Sequence, residues 1–451
     1  MNRGMMWGAL VGIDGQGGAA DSTRGPQRRL VIVVRADPVI CGHSGEARNL
    51  AEAALTRGFT EVKIVTWPID RLIETGLPLK PLDGVMPYSE GIEVERPGPV
   101  GDYKVPDGRY LSGLIGRLVE LFTDGVPTVA MSLYLSPHTI AVSDAVRVAR
   151  QTGLGVDVIT VAEAVGSDVT NVVRSCVEEG KFGSAAHVLT AYLSSDVPVA
   201  VSEYTRQLII SSAELIDAQH GTHFAARCRE RVRISYPAIN TADYLDLDAG
   251  LFAATLAARG LERDGYVLYL SRLAHAKGVD DLIAGFARSV GARRTTLVIA
   301  GDGPQAAQLR ELAAASPATQ RIVFLDDVDD EEKPCLMAGS AAFVLPSKPR
   351  PEFIETFGIA LVEKMLAGGG PVITTDTGGI AEAVGDTALI VPVDDPGAIA
   401  AALDEALGMP EGEREVMALR AREHALQFDR QRVFDMLLAR VDSDVAELTA
   451  I

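Results

Sequence analysis

The stretch YVLYLSRLAHAKGVDDLIAGFARSV (266–290), followed by TLVIAGDGP (296–304), decides the fold. YVLYLS is a continuous apolar run, as a strand covered on both faces should be. SRLAHAKG is a polar loop carrying two cations, and VDDLIAGFARSV places its apolar residues at helical spacing. TLVIAG is a second apolar run. Strand, crossover helix and strand form a β-α-β unit, which lays its two strands parallel in one sheet. The alternation continues through RIVFL (321–325), AAFVLP (341–346), PVITTD (371–376) and ALIVPV (388–393).

Working outward, the first half shows the same rhythm. LVIVVR (30–35) is β-branched and apolar; the loop CGHSGE (41–46) follows, then the helical stretch EARNLAEAALTRG, with Gly58 at the position of a helix C-cap, and the strand EVKIVTW (61–67). Further strands are expected at TVAMSL (128–133), VDVITV (156–161), VPVAVS (197–202) and RVRIS (231–235). Residues 68–110 are rich in Pro and Gly, too long for an ordinary connection, and read as a functional loop or excursion. Residues 241–262 read as a linker, and 411–447 as helical and charged. The repeated alternation predicts an α/β chain of two facing Rossmann-like, doubly wound domains. Their expected spans are 28–245 and 260–425, with a flexible leader at 1–27 and a helix at 426–451 packing back toward the first domain. Ligands of such sheets bind beyond the carboxyl ends of the strands, so the default site is the cleft between the two domains.

Bulk properties narrow the function. The 451 residues include 47% hydrophobic and 23% charged side chains, enough for two cores. A formal net charge of −19 disfavours nucleic-acid backbones and anionic lipid as partners, and the basic pairs Arg28-Arg29 and Arg293-Arg294 are too short to make a stripe. The four cysteines, Cys41, Cys176, Cys228 and Cys335, form no C-x-x-C pair; a reducing cytoplasm fits them better than a disulfide framework or a zinc site. No apolar run reaches the ~20 residues of a membrane span. The stretch MMWGALVGI after Arg3 has some signal-peptide character, but it is short and interrupted by glycine.

Most chemistry-bearing residues fall at strand ends of the second half. Arg272 and Lys277 share one loop; a guanidinium fork and an ammonium suit a diphosphate, although ordinary surface cations would look the same. AGDGPQ (300–305) places Gly303 in a turn ahead of a helix. PEFIETFGIALVEKMLAGGGPVITTDTGGIAEAV (351–384) holds Glu355 and Glu363 eight residues apart. Glu363 lies in an apolar helix, where an unpaired carboxylate is costly, and ribose hydroxyls could partner it; a salt bridge is the other reading. Phe357, Gly358 and Ile359 stand where that helix begins, with amides able to face an anion. Asp327 and Asp329 form a D-x-D inside the acidic run DDVDDEE, better read as a solvated loop than a metal site, and His220 and His223 are an isolated pair.

These motifs, in their order and spacing across about 260–405, resemble the retaining GT-B glycosyltransferases of family four, a group with sucrose-phosphate synthase-like and inositol-phosphate glycosyltransferase-like members. YLSRLAHAKGVDDLIAGFA, LVIAGDGP, ETFGIALVE, GGGPVITTDTGGIAEAV and ALIVPVDDPGAIAAAL carry the resemblance. It implies a hexosyltransferase that uses a nucleotide-sugar as substrate, with no separate cofactor and no metal. Arg272 and Lys277 would hold the donor diphosphate, and Glu355 the donor sugar beside the amides of Phe357 to Ile359. Glu363 would bind the ribose, and the segment Leu325 to Val328 would border the base. In the first half, Gly42, His43, Ser44 and Gly45 stand where the family has a glycine-rich loop near donor phosphates and acceptor. The chain departs from the family after VDVITV, where relatives place a histidine and this sequence has Glu163, with Asp168 beyond. Glu163 and Asp168 are therefore acceptor-side candidates, and a small polar acceptor is expected. A sugar phosphorylase of similar architecture and an inactive nucleotide-sugar-binding relative are the alternatives, and a homodimer is left open.

Overall fold

The computed structural model describes residues 27–449 except Leu77, Tyr103 and Glu352, so the expected leader lies, but for Gln27, outside the described residues. The chain divides into two compact units: 1–201 with 205–238 and 430–451, and 202–204 with 239–429.

The first unit is built on seven parallel strands: β1 (Arg29–Val33), β2 (Glu61–Val65), β3 (Ile92–Glu95), β4 (Thr128–Leu133), β5 (Val158–Ala164), β6 (Val197–Ala200) and β7 (Arg233–Ile234). Their order across the sheet is β3-β2-β1-β4-β5-β6-β7. β1 pairs with β2 on one side and β4 on the other, Ile32 facing Ile64 and Met131. The chain therefore reverses its winding direction between β1 and β4, which opens a crevice at their carboxyl ends. Every residue of β1 and β4 is buried, as expected when helices cover both faces. The helix Gly42–Leu55 lays Ala47, Leu50, Ala51 and Ala54 into the core on one side of the sheet. The terminal helix Arg430–Thr449 adds Val433, Phe434, Leu437 and Val441 to the same core.

Two expectations needed correction. The 68–110 excursion contains β3, which pairs in parallel with β2 through Val62–Ile92 to Val65–Glu95. Its sequence IEVE is half-exposed at a sheet edge, so it lacks the apolar continuity of the inner strands. The strand expected at 156–161 runs on to Ala164, because Val161 to Ala164 pair with Val197 to Ala200 of β6. Glu163 is thus inside a strand rather than in the loop after one.

The second unit repeats the plan with six parallel strands: β8 (Tyr266–Leu270), β9 (Thr296–Ala300), β10 (Ile322–Leu325), β11 (Ala342–Leu345), β12 (Val372–Thr375) and β13 (Leu389–Val391). The order β10-β9-β8-β11-β12-β13 places the switch point between β8 and β11. The segment read as a linker includes a helix, Ala249–Ala258, whose N-terminus is capped by the Asp248 carboxylate accepting from the Leu251 amide at 2.7 Å.

Candidate functional site

The loops leaving β8 and β11 are tied together. The Lys348 amide donates to the Ala276 carbonyl at 2.8 Å, and its ammonium, almost fully buried, is within 2.9 Å of Asp280, 2.8 Å of Asp281 and 3.2 Å of Asp394. Gly278 closes the first loop at φ +68°, and a Cβ there would stand 2.0 Å from the Pro346 carbonyl oxygen, so only glycine lets the two strand ends approach. AGDGPQ docks against the same loop: the Leu273 amide donates to the Asp302 carbonyl at 2.9 Å and the Gln305 amide to the Leu273 carbonyl at 3.0 Å. Gly303 therefore lies against Leu273, next in sequence to Arg272.

Lys277 is 8% exposed and forms an ion pair with Glu355, whose loop leaves β11. Phe353 stands over both cations, its ring centroid 5.0 Å from the Lys277 ammonium and 6.0 Å from the Arg272 guanidinium. Its place is fixed by a tight antiparallel pairing of Arg350 with Phe353, with amide–carbonyl bonds of 3.0 and 3.1 Å. Arg272 is exposed, and among the described residues no carboxylate pairs with it. The Glu355 loop is held from below by TTDTGGI: the Gly379 amide donates to the Glu355 carbonyl at 2.9 Å. A Cβ on Gly378 would fall 1.9 Å from that same carbonyl oxygen.

Phe357 is buried edge-to-face against Phe428 at 4.9 Å. Gly358, at φ +103°, turns the chain into the helix Ile359–Ala367, whose start has no side-chain cap. The first amides of such a helix have no intrahelical acceptor, leaving a donor-rich end close in sequence to Glu355. Glu363, one turn further in, has found protein partners: the Lys333 ammonium at 2.7 Å and the Tyr244 hydroxyl. Burial opposes the charge on Lys333, but Glu363 and then Tyr244 outweigh it and raise its pKa. The salt-bridge reading of Glu363 thus describes this conformation, and any ribose hydroxyl would join an existing pair. Leu325 and Val328 are half-buried at the end of β10 and in the loop beyond. The acidic run near them is accounted for structurally. Asp326 pairs with Arg310 and Asp327 with Arg259, while Asp329 accepts from the amides of Glu331 and Glu332. Among the described residues no three His, Cys, Asp or Glu are grouped to hold a metal.

The first unit ends its own switch point differently. Gly42 to Gly45 form the first turn of the helix after β1. Ser44 is buried and its hydroxyl donates to the Arg35 carbonyl at 3.2 Å. Gly45 is exposed, and a Cβ there would meet nothing within 4 Å, so packing does not require the glycine. His43 sits edge-on to Tyr134 at 6.0 Å; burial, then the Arg35 charge, pushes its pKa down to about 4. Glu163 has no exposed surface, and neither carboxyl oxygen has a well-formed hydrogen bond. Glu46, from the helix after β1, lies beside it, raised to about 7 by burial, while burial and then Glu46 raise Glu163 well above the usual range. Two carboxyls packed together out of water cannot both ionise, so the pair keeps a proton. Asp168 accepts from the amides of Leu135 (2.8 Å), Val165 (3.1 Å), Gly166 (2.9 Å) and Val169 (2.9 Å), and burial still raises it to about 6. Glu163 and Asp168 are both wholly buried, so neither offers an oxygen to solvent.

Residues 257–424 match the family of group 1 glycosyl transferases. That segment is a group 1 glycosyl transferase domain. The chain is 35% identical over 174 residues to the glycogen synthase of Mycobacterium tuberculosis, covering 37% of this chain and 40% of that protein. It is 33% identical over 129 residues to the 2-deoxystreptamine glucosyltransferase of Streptomyces kanamyceticus, covering 28% and 32%. The matches thus span less than half of these relatives. The backbone matches the Anabaena protein HepE, solved in complex with UDP and glucose, with a TM-score of 0.65, 17% identity and coverage of 92% of this chain and 99% of that one; this likeness establishes the GT-B fold.

Four features of the transferase domain and its companion unit escaped the sequence reading. Lys333 and Tyr244, the partners of Glu363, come from distant positions with no motif to announce them. Phe353 is a single aromatic between strand and helix, and no motif marks it. A buried histidine does lie in the first unit, but after β4 rather than β5: His138, in LSPHT, bonds the Leu133 carbonyl through Nδ1 at 3.0 Å and accepts from Trp67 at Nε2, 3.1 Å away. These partners fix the Nδ1–H tautomer, and burial holds the ring neutral. Arg35, two residues beyond β1, was read only as the end of a strand.

Proposed function

We propose that the protein is a retaining glycosyltransferase that moves a hexosyl group from a nucleoside-diphosphate sugar to a hydroxyl of a small polar acceptor. The observation that carries this reading is the constellation at the β8/β11 switch point: the Lys277–Glu355 pair, the unpaired Arg272 and the uncapped helix start at Gly358–Ile359. Diphosphate departure loads negative charge onto phosphate oxygens, and preorganised cations and amide dipoles lower the energy of that charge as it develops. Arg272 and Lys277 are in our reading the groups that receive it, doing the work that a divalent metal performs elsewhere. Glu355, held by Lys277 and by the TGGI loop, would accept hydroxyl hydrogen bonds from the donor sugar. The bond from the anomeric carbon to the diphosphate breaks as the acceptor oxygen joins that carbon on the same face, and the acceptor proton leaves with the diphosphate. Glu363 with Lys333 and Tyr244 would take the ribose. The names of relatives that act on sugars and aminocyclitols accord with a polar acceptor.

The test is a melting-temperature panel of UDP, GDP, ADP and their sugars against orthophosphate, in EDTA. A ligand that binds the native state raises the transition by mass action. A rise with one nucleotide names the base and supports transfer; a rise with orthophosphate alone contradicts the reading and points to a phosphorylase.

A further inference from the structure

We propose that Arg35 anchors an oxyanion subsite in the first unit, which takes a phosphate or carboxylate group carried by the acceptor. This deepens the transferase reading and rests on it.

The argument starts from topology. Arg35 follows β1 by two residues and Tyr134 follows β4 by one, so both stand at the point where the sheet reverses its winding, the place where ligands of such sheets bind. The Arg35 guanidinium lies 5.1 Å from the centroid of the Tyr134 ring, which backs one face of the cation. Arg35 is half-buried, yet among the described residues no carboxylate or carbonyl takes its guanidinium. A partly desolvated arginine left without an anion is unusual in a chain of net charge −19, where carboxylates outnumber cations.

The buried acids of the first unit are engaged elsewhere. Asp37 is engaged by Arg48 at 2.9 Å and by the Tyr88 hydroxyl at 2.7 Å. Asp168 is saturated by four amides. Burial raises the pKa of both Glu46 and Glu163, which favours their uncharged forms. His43 and His138 are held neutral, so neither competes with Arg35 as the cation of the site.

Backbone strain marks the same spot. Tyr134 sits at φ +108°, a conformation a residue with a bulky side chain avoids. It is held there by its amide donating to the Glu163 carbonyl at 3.1 Å and its carbonyl accepting from the Thr139 amide at 3.2 Å. Strain maintained by surrounding bonds is characteristic of ligand clamps. The strained residue is the one whose ring supports Arg35. A guanidinium backed by an aromatic ring and free at its N–H edge fits the planar donor fork to a carboxylate or a phosphate.

The experiment is calorimetric titration of the full chain with inorganic phosphate and with acetate, in EDTA, after saturation with the nucleoside diphosphate it binds, so that Arg272 and Lys277 are occupied. We expect saturable binding of at least one of the two anions. Arg35→Ala should weaken it about tenfold or more, the size of a charge-assisted hydrogen-bond pair, and Arg35→Lys should weaken it less. Both variants should bind the nucleoside diphosphate like wild type, which separates this site from the donor site. If phosphate alone binds, the acceptor group is a phosphate ester; if acetate binds as well, it extends to a carboxylate. No saturable binding of either anion, or equal binding by wild type and Arg35→Ala, overturns the proposal. If no nucleotide binds at all, the transferase reading fails separately, and the anion titration is run on Arg272→Ala with the same outcomes.

Discussion

The two units share a strand order but finish their switch points in opposite ways. In the second, the groups at the ends of β8 and β11 are charged: Arg272 is exposed, Lys277 and Glu355 form a largely buried ion pair, and a helix begins uncapped close in sequence to Glu355. In the first, the ends of β1, β4 and β5 are largely neutral. Two histidines are held uncharged and a carboxyl pair keeps its proton, and Arg35 lies over the Tyr134 ring. The difference fits a division of labour. A diphosphate is the same in every donor and needs strong, fixed charge, whereas an acceptor varies and is recognised by a local environment that can be reshaped without disturbing the transfer step.

The sharpest way to break this contrast is Lys277→Ala. It removes one of the two cations proposed for the diphosphate and leaves Glu355 without its ion-pair partner. We expect kcat/KM to fall about 10²–10³-fold and the fold to lose about 3–5 kcal/mol, read by steady-state kinetics and urea unfolding. Arg272→Ala should cost about 10²-fold in kcat/KM while leaving stability within roughly 0.5 kcal/mol, because the side chain is exposed and unpaired. Equal activity would place the charge stabilisation elsewhere. Glu363→Gln keeps the shape of the proposed ribose contact but weakens the bond to Lys333. Donor KM should rise about tenfold with kcat changed less, the signature of binding shared by ground and transition states.

The smallest effect concerns the neutral cluster. A carboxyl whose pKa is raised on folding stabilises the native state below its unfolded value, and that stability is lost as pH rises through the folded value. For Glu46 the window runs from about 4.5 to about 7, and the raised Glu163 extends it upward. His43 and His138, depressed by burial, act with opposite sign below about 6.5, so the informative quantity is a difference. Glu163→Gln should gain on wild type as pH rises from 5 to 8, by roughly 2–4 °C in melting temperature if about 1 kcal/mol is involved. A pH-independent difference would mean the pair holds no proton.

How much of this was legible in the sequence follows the same division. The second unit declared itself because its constraints are local. Gly278 is required by the approach of Pro346, and Gly378 by the Glu355 carbonyl, so each leaves a glycine at a fixed distance from a cation or a carboxylate. The first unit was harder to read because its chemistry is assembled across the sheet. Glu163 breaks the apolar pattern of β5, so the apolar run ends the strand before it, although its strand pairing with Val199 and its neighbour Glu46 explain it. β3 is short, half-exposed and set in a Pro- and Gly-rich stretch, so no period revealed it. Lys333 sits thirty residues from Glu363 and Tyr244 farther still, distances at which a sequence gives no pairing signal.

The measurement closest to the central claim is calorimetric binding of UDP, GDP and ADP, in EDTA, to wild type and to Arg272→Ala. The account predicts that one nucleotide binds wild type without metal and binds the variant about tenfold or more weakly. Binding that requires a divalent cation, or that is unchanged by Arg272→Ala, would contradict the assignment of the β8/β11 strand ends as the diphosphate site.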